Sequence, residues 1–232
     1  MQRKNNFNIA VDGPAGAGKS TIAKSVAKKL GFIYVDTGAM YRALALHFLR
    51  LGIDPSAEDK IAEACKDVDV TIRYQDGVQQ VILNGEDVSG LIRTEEVGNM
   101  ASATSIYRPV REKLLDLQRN LAASSDVIMD GRDIGTCVLP NADAKIYLTA
   151  SSHVRAQRRY KELAEKGVVC NLEEIEQDII ERDQRDMNRE IAPLMQAPDA
   201  ILVDGSDMSI DQVIDAIIQV AVSRGLVVAG WK

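Results

Sequence analysis

The chain of 232 residues is predicted to form a doubly wound α/β fold around a five-stranded parallel sheet, with an inserted antiparallel β subdomain and a helical lid. Three observations predict it. Five short apolar runs lack in–out alternation, which is how strands buried on both faces read. Segments with helical periodicity separate most of them. One stretch with strict alternation and paired turn dipeptides interrupts the rhythm, so it belongs outside the parallel sheet.

The elements follow in order. "FNIAV", Phe7 to Val11, is the first strand. After a glycine-rich stretch, Ile22, Val26 and Leu30 mark one helix face, and Gly31 is placed to cap its end. "FIYV", Phe32 to Val35, is the second strand, followed by a helix from about Ala39 to Leu51 with Thr37 as its candidate N-cap. Val68 to Gly90 contains Asp76-Gly77 and Asn84-Gly85, and reads as an antiparallel meander. Helices are expected from Thr94 to about Ser105 and from near Pro109. "DVIMD" is a strand, "GRDIGT" breaks any helix, and Ala144 to Ala150 is the next strand. Two charged helices cover Ser152 to Lys166 and Leu172 to about Asn188. A last strand, Ala200 to Asp204, precedes a helix from Asp211 to Ser223.

Bulk properties exclude several functions. A formal net charge of -6 argues against a broad nucleic-acid surface. Cys65, Cys137 and Cys170 lack metal-ligand spacing and suggest no disulfide framework. His47 and His153 form no HExxH pair. No segment is apolar and long enough to span a membrane, and the N-terminal apolar run is too short for a signal peptide. A cytoplasmic monomer without membrane or nucleic-acid partners is the expectation.

Chemistry concentrates in four places. Gly13, Pro14, Ala15, Gly16, Ala17, Gly18, Lys19 and Ser20 fit G-x-x-x-x-G-K-[ST], followed by Thr21, between a buried strand and a helix. Small residues let backbone N–H groups approach a polyphosphate, and the helix N-terminus favours its charge. Lys19 reaches the β/γ oxygens, and Ser20 can ligate Mg²⁺. No NKxD base-reading motif or LSGGQ-type signature is present, which moves the reading from switches and transporters to small-molecule kinases. "DTGAMYR", Asp36 to Arg42, follows the second strand, at the sheet edge where open α/β folds bind ligands. Asp130 ends the third core strand, where an acid can organise the metal's water shell, and Arg132 can fork onto a phosphate. Alone, "DGRD" also reads as a turn with a local Arg–Asp pair. "ERDQRDMNRE" places Arg182, Asp186 and Arg189 at i, i+4 and i+7, on one helix face, with Arg185 beside them. Such a run also reads as a solvated face, but arginines that close over phosphates have this form. Arg155, Arg158 and Arg159 form the other arm of that segment.

On "DGPAGAGKST", "DTGAMYR", "NGEDVS" with "IRTEEV", "DGRDIGT" and "ERDQRDMNR" followed by "APL", the chain resembles the cytidylate kinase family, in its bacterial long form, over essentially its whole length. The resemblance implies a P-loop nucleoside monophosphate kinase fold with core segments 1–36, 109–151 and 193–232. It implies an NMP-binding region over 37–108, carrying the β insert at about 66–92, and a lid over 152–192. It implies transfer of the ATP γ-phosphoryl to CMP or dCMP with Mg²⁺, held by Ser20 and, through water, by Asp130. Carried over by position, Ser102, Arg111 and Asp133 read the cytosine. Arg42, Arg132 and Arg182 hold the acceptor phosphate, Asp186 binds the sugar, and Arg189 acts near the phosphates or base as the lid closes. Thr37 and Tyr41 belong to the CMP side and Arg158 to the ATP side, with Lys19, Arg132, Arg182 and Arg189 as the catalytic set. Some members carry Gly after the loop lysine where this chain has Ser20. A four-cysteine zinc lid is excluded, because the lid holds only Cys170.

The cytosine amine suits a carboxylate acceptor, whereas uracil would face Asp133 with another acceptor. An unpaired buried polar group costs ~1–3 kcal/mol, so CMP should be preferred to UMP by roughly tenfold or more. No general base is required, because a phosphate monoester with a second pKa of about 6 is already mostly dianionic. The rivals are a kinase for UMP or another monophosphate, and a P-loop regulatory module. The crowding of Asp130, Arg132 and Asp133 is expected to relax only when substrate brings complementary charge.

Overall fold

The computed structural model describes residues 6–228. In chain order the elements are β1 (Asn8–Asp12), α1 (Lys19–Leu30), β2 (Ile33–Asp36), α2 (Thr37–Arg50), α3 (Glu58–Asp67), β3 (Val70–Gln75), β4 (Val78–Leu83) and β5 (Glu86–Asp87). There follow α4 (Glu95–Thr104), α5 (Arg108–Ser124), β6 (Val127–Gly131), a π turn (Ile134–Val138) and β7 (Ala144–Thr149). The last elements are α6 (Ser152–Glu165), α7 (Leu172–Asn188), β8 (Ile201–Asp204) and α8 (Ile210–Ser223). The main sheet has the five strands that the sequence predicts, in the order β2-β6-β1-β7-β8, and a separate sheet has the order β3-β4-β5.

The chain folds into two compact units. The first runs up to Phe32 and resumes at Asp126. Its central strand, β1, pairs in parallel with β6 on one side and β7 on the other, and Ile9 to Asp12 are all buried. Burial on both faces explains the unbroken apolar run. Helices α1 and α8 pack together, and the apolar face of α8 (Val213, Ile214, Ile217, Ile218) is buried. Gly31 ends α1 in the left-handed region, φ 72°, where its N–H donates to Ala27 O.

The second unit spans Ile33–Ser125. Phe48, Leu44 and Met40 of α2 are fully buried, and α2 packs against α3, α4 and α5. Helix α5, expected in the core segment 109–151, groups with this unit. The meander is as read from its turns. Asp76 and Gly77 have φ 52° and 74°, and Asn84 and Gly85 have 49° and 86°. Successive positive φ values make the tight hairpin turns whose twist matches the strands.

Four expectations need correction. Asp36, not Thr37, caps α2: its carboxylate accepts from Ala39 N at 2.9 Å, and Thr37 is the first helical residue. "GRDIGT" does more than break a helix, because the chain winds a π turn from Ile134. Arg189 is not on the face shared by Arg182 and Asp186, because α7 ends at Asn188 and Arg189 is extended (φ -65°, ψ 141°). Helix α3 was not expected at all, because only Ile61 and Cys65 of its face are buried among charges. Among the described residues no helix is long and apolar enough to cross a membrane.

Candidate active site

The phosphate loop leaves the end of β1 at Gly13. A Cβ there would stand 1.9 Å from the Leu148 carbonyl oxygen, so only glycine fits. Gly18, in the left-handed region, N-caps α1 without a side-chain bond, and the first turn carries no acid. No capping carboxylate competes there with an anion for the helix's first N–H groups. Lys19 is buried and donates from Nζ to Pro14 O at 2.8 Å. Burial, and then the nearby Arg132 cation, lower its ammonium to about 7 against the pull of Asp130 and Asp12. Ser20 Oγ donates to Asp130 Oδ2 at 2.8 Å. A hydroxyl beside a buried carboxylate is a hard oxygen pair that fits Mg²⁺.

The charges of "DGRD" separate. Arg132 Nε donates to Asp186 Oδ2 at 2.9 Å. Burial alone would raise the Asp186 carboxyl, but Arg132, Arg189 and Arg182 hold it below its ordinary value. Arg189 Nη2 lies 3.5 Å from Asp133 Oδ1, both side chains buried. Arg189 Nε also donates to the carbonyl of Ala192, which sits at φ 50°. Each charge thus has a protein partner: Asp130 has Ser20, Arg132 has Asp186, and Asp133 has Arg189. The crowding therefore does not await substrate, because buried charge is tolerated only when compensated. Arg182 lies half-buried on α7, Arg185 is exposed, and Arg158 of α6 donates to Gly205 O at 2.8 Å.

In the second unit Arg42 Nη1 donates to the carbonyls of Ile92 (3.0 Å) and Thr94 (3.2 Å). The Arg111 guanidinium lies 5.6 Å from the centre of the Tyr41 ring, and its Nη1 donates to Ser105 O at 3.2 Å. Ser105 Oγ donates to the carbonyl of Ser102. Tyr41, Arg111 and the Ser102 backbone are thus linked within one unit, while Thr37 is buried at the start of α2. Lys19, Asp130, Arg132, Asp133, Arg182, Asp186 and Arg189 belong to the other unit.

Residues 9–223 match the family model described as cytidylate kinase. The chain belongs to the cytidylate kinase family. A cytidylate kinase of Caldicellulosiruptor bescii is 50% identical over 213 residues, covering 92% of this chain and 94% of that one. That of Desulfitobacterium hafniense is 48% identical over 215 residues, covering 93% and 92%. Among solved structures, an uncharacterized protein from Eubacterium ventriosum superposes with a TM-score of 0.50 at 13% identity, over 94% of this chain and 99% of that one, a likeness of fold alone.

In this cytidylate kinase family member, other residues that sequence reasoning missed or left undefined bond to the loops and strand ends named above. Asp12 accepts from the backbone N–H groups of Ile134 and Gly135, each at 2.7 Å, and burial pushes its carboxyl up to about 6. Arg155, read only as one of a basic arm, is buried and donates to the phosphate-loop carbonyl of Ala15 (2.9 Å), to Ala150 O and to Asp183. Asp36 is held by Arg93 at 2.7 Å, and Gln79 of β4 pairs its side-chain amide with the Asp36 N–H and carbonyl at 2.8 and 3.1 Å. The one legible signal was an acid directly before the glycine-rich loop; the partners of the others lie far along the chain.

Proposed function

We propose that the protein transfers the γ-phosphoryl of ATP to CMP or dCMP, giving CDP or dCDP and ADP. The carrying observation is the family match over residues 9–223. An oxygen of the acceptor phosphate bonds to the γ-phosphorus as the bond to the β,γ-bridging oxygen breaks, and ADP leaves with that electron pair. The α1 N-terminus and Lys19 bind the polyphosphate and stabilise charge as it shifts. Ser20, and Asp130 through water, would hold Mg²⁺, which when bound neutralises phosphate charge; their 2.8 Å contact supports that arrangement. Arg42, Arg132 and Arg182 are assigned to the acceptor phosphate, and Asp186, kept ionised by its arginines, to the sugar hydroxyls.

Asp133, with Ser102 and Arg111, is assigned to the cytosine. Its burial beside Arg189 supports this, because a dry carboxylate discriminates between an amine donor and a carbonyl acceptor far better than a wet one. Arg189 is assigned to move with the lid, Arg158 to the donor side, and Thr37 and Tyr41 to the acceptor side. The working species is a monomer, so light scattering should give a mass near 25.4 kDa. The three free thiols suit a reducing cytoplasm. ADP release should be measured with CMP, dCMP, UMP, AMP and GMP in turn. Turnover that depends on CMP or dCMP is expected, and ATP hydrolysis indifferent to every monophosphate would overturn the reading.

A further inference from the structure

Asp133 stands at the N-cap of the π turn, at φ -146° and ψ 26°, and makes no side-chain cap bond. That is unusual for an aspartate. At an N-cap its carboxylate ordinarily accepts from the N–H two or three residues on, and it is among the residues most favoured there. Here the first two N–H groups of the turn, Ile134 and Gly135, donate instead to Oδ1 and Oδ2 of Asp12, each at 2.7 Å. Asp12 is the last residue of β1, in register with Gly131 of β6, and is separated from these donors by more than 120 residues of chain. Asp12 and Asp133 are both buried. The approach is close: a Cβ on Gly135 would stand 3.3 Å from Asp12 Oδ2 and 3.2 Å from the Lys145 side chain.

We infer that Asp12 is a positioning residue for base selection: it caps the π turn from the neighbouring strand and so keeps the Asp133 carboxylate off the turn's own N–H groups, beside Arg189 and facing the base. This rests on the reading of Asp133 as the group that recognises cytosine. Without Asp12, two buried N–H groups lose their acceptor, and that of Gly135, two residues beyond Asp133, is within the ordinary reach of an N-cap carboxylate. Turned back onto its own turn, Asp133 no longer faces Arg189 or a nucleobase. Asp12→Asn keeps one acceptor oxygen but sets an amide N–H against one of the backbone donors, so it should act in the same direction more weakly.

The test is the ratio of kcat/KM for CMP to that for UMP, both at saturating ATP, so that effects on ATP cancel. It should be measured for the wild type, Asp133→Ala, Asp12→Ala, Asp12→Asn, Gly135→Ala and the double variant at positions 12 and 133. Asp133→Ala should collapse the ratio. Asp12→Ala should lower it at least fivefold, Asp12→Asn and Gly135→Ala about threefold, and the double variant no further than Asp133→Ala alone. If Asp12→Ala does not fold, Asp12→Asn and Gly135→Ala decide. Should Asp133→Ala collapse the ratio while the Asp12 and Gly135 variants keep it within twofold, the inference is wrong and the base reading stands. Equal losses for CMP and UMP in those variants would give Asp12 a merely structural role and also overturn the inference. A ratio unchanged in Asp133→Ala would sink the base reading itself, and the inference with it.

Discussion

Lys19 shows how one side chain is tuned by where it sits. Burial and the Arg132 cation lower its ammonium to about 7, so in the ligand-free protein the neutral amine gains as pH rises above 7. A bound polyphosphate favours the charged form. ATP affinity should therefore fall above pH 7, and binding at pH 8 should take up close to ~1 proton at Lys19. Calorimetry in buffers of different ionisation enthalpy reads this directly; no uptake, or the same uptake in Lys19→Arg, would contradict it. Lys19, Ser20 and the acids of "DGRD" were legible because short spacings carry their chemistry. Asp12 and Arg155 were not, because their partners lie 122 and 140 residues away in sequence, as Ile134 and Ala15. Nothing local distinguishes Arg155, which is buried, from the exposed Arg159 one turn on.

At the scale of elements, turn chemistry was the most legible signal. Asp-Gly and Asn-Gly fixed both hairpins, because consecutive positive φ values are open to few residue pairs. The π turn had no such signature, and Asp12, the group that caps it, comes from another strand. Helix α4 offers a test that separates stability from function. A Cβ on Gly98 would come within 2.9 Å of Arg42 Nη2. Gly98→Ala should hold stability or raise it by up to ~1 kcal/mol, because alanine is the better helix former. It should also push the guanidinium from its carbonyl seats and raise the KM for CMP by about 3- to 10-fold, equivalent to up to ~1.4 kcal/mol. The KM for ATP should stay put. Thermal melts with initial-rate kinetics decide, and an unchanged KM for CMP would mean that the acceptor side tolerates the shift.

For the whole chain, the fold class was legible from five apolar runs and their spacing. The strand order was not, because sequence order does not say that β6 neighbours β1 while β7 lies on the other side. Nor was the grouping of α5 with the second unit, since a helix's apolar stripe does not name its partner. Ligand linkage offers a global measurement. CMP at a hundredfold excess over its Kd should stabilise the fold by about 2.7 kcal/mol, which for a chain of this size raises Tm by roughly 5–10 °C. UMP at the same concentration should raise it less; equal shifts would count against selective binding.

The paired hydrogen bonds from Gln79 to the backbone of Asp36 bear on how such a chain could have changed length in evolution. The antiparallel insert supplies the partner for a strand-end amide that also starts the helix carrying Arg42. Excising the insert in a single deletion would strip that N–H and carbonyl of their partners. A viable shortening would first need a substitute acceptor and donor at Asp36, so the segment is more easily replaced than lost.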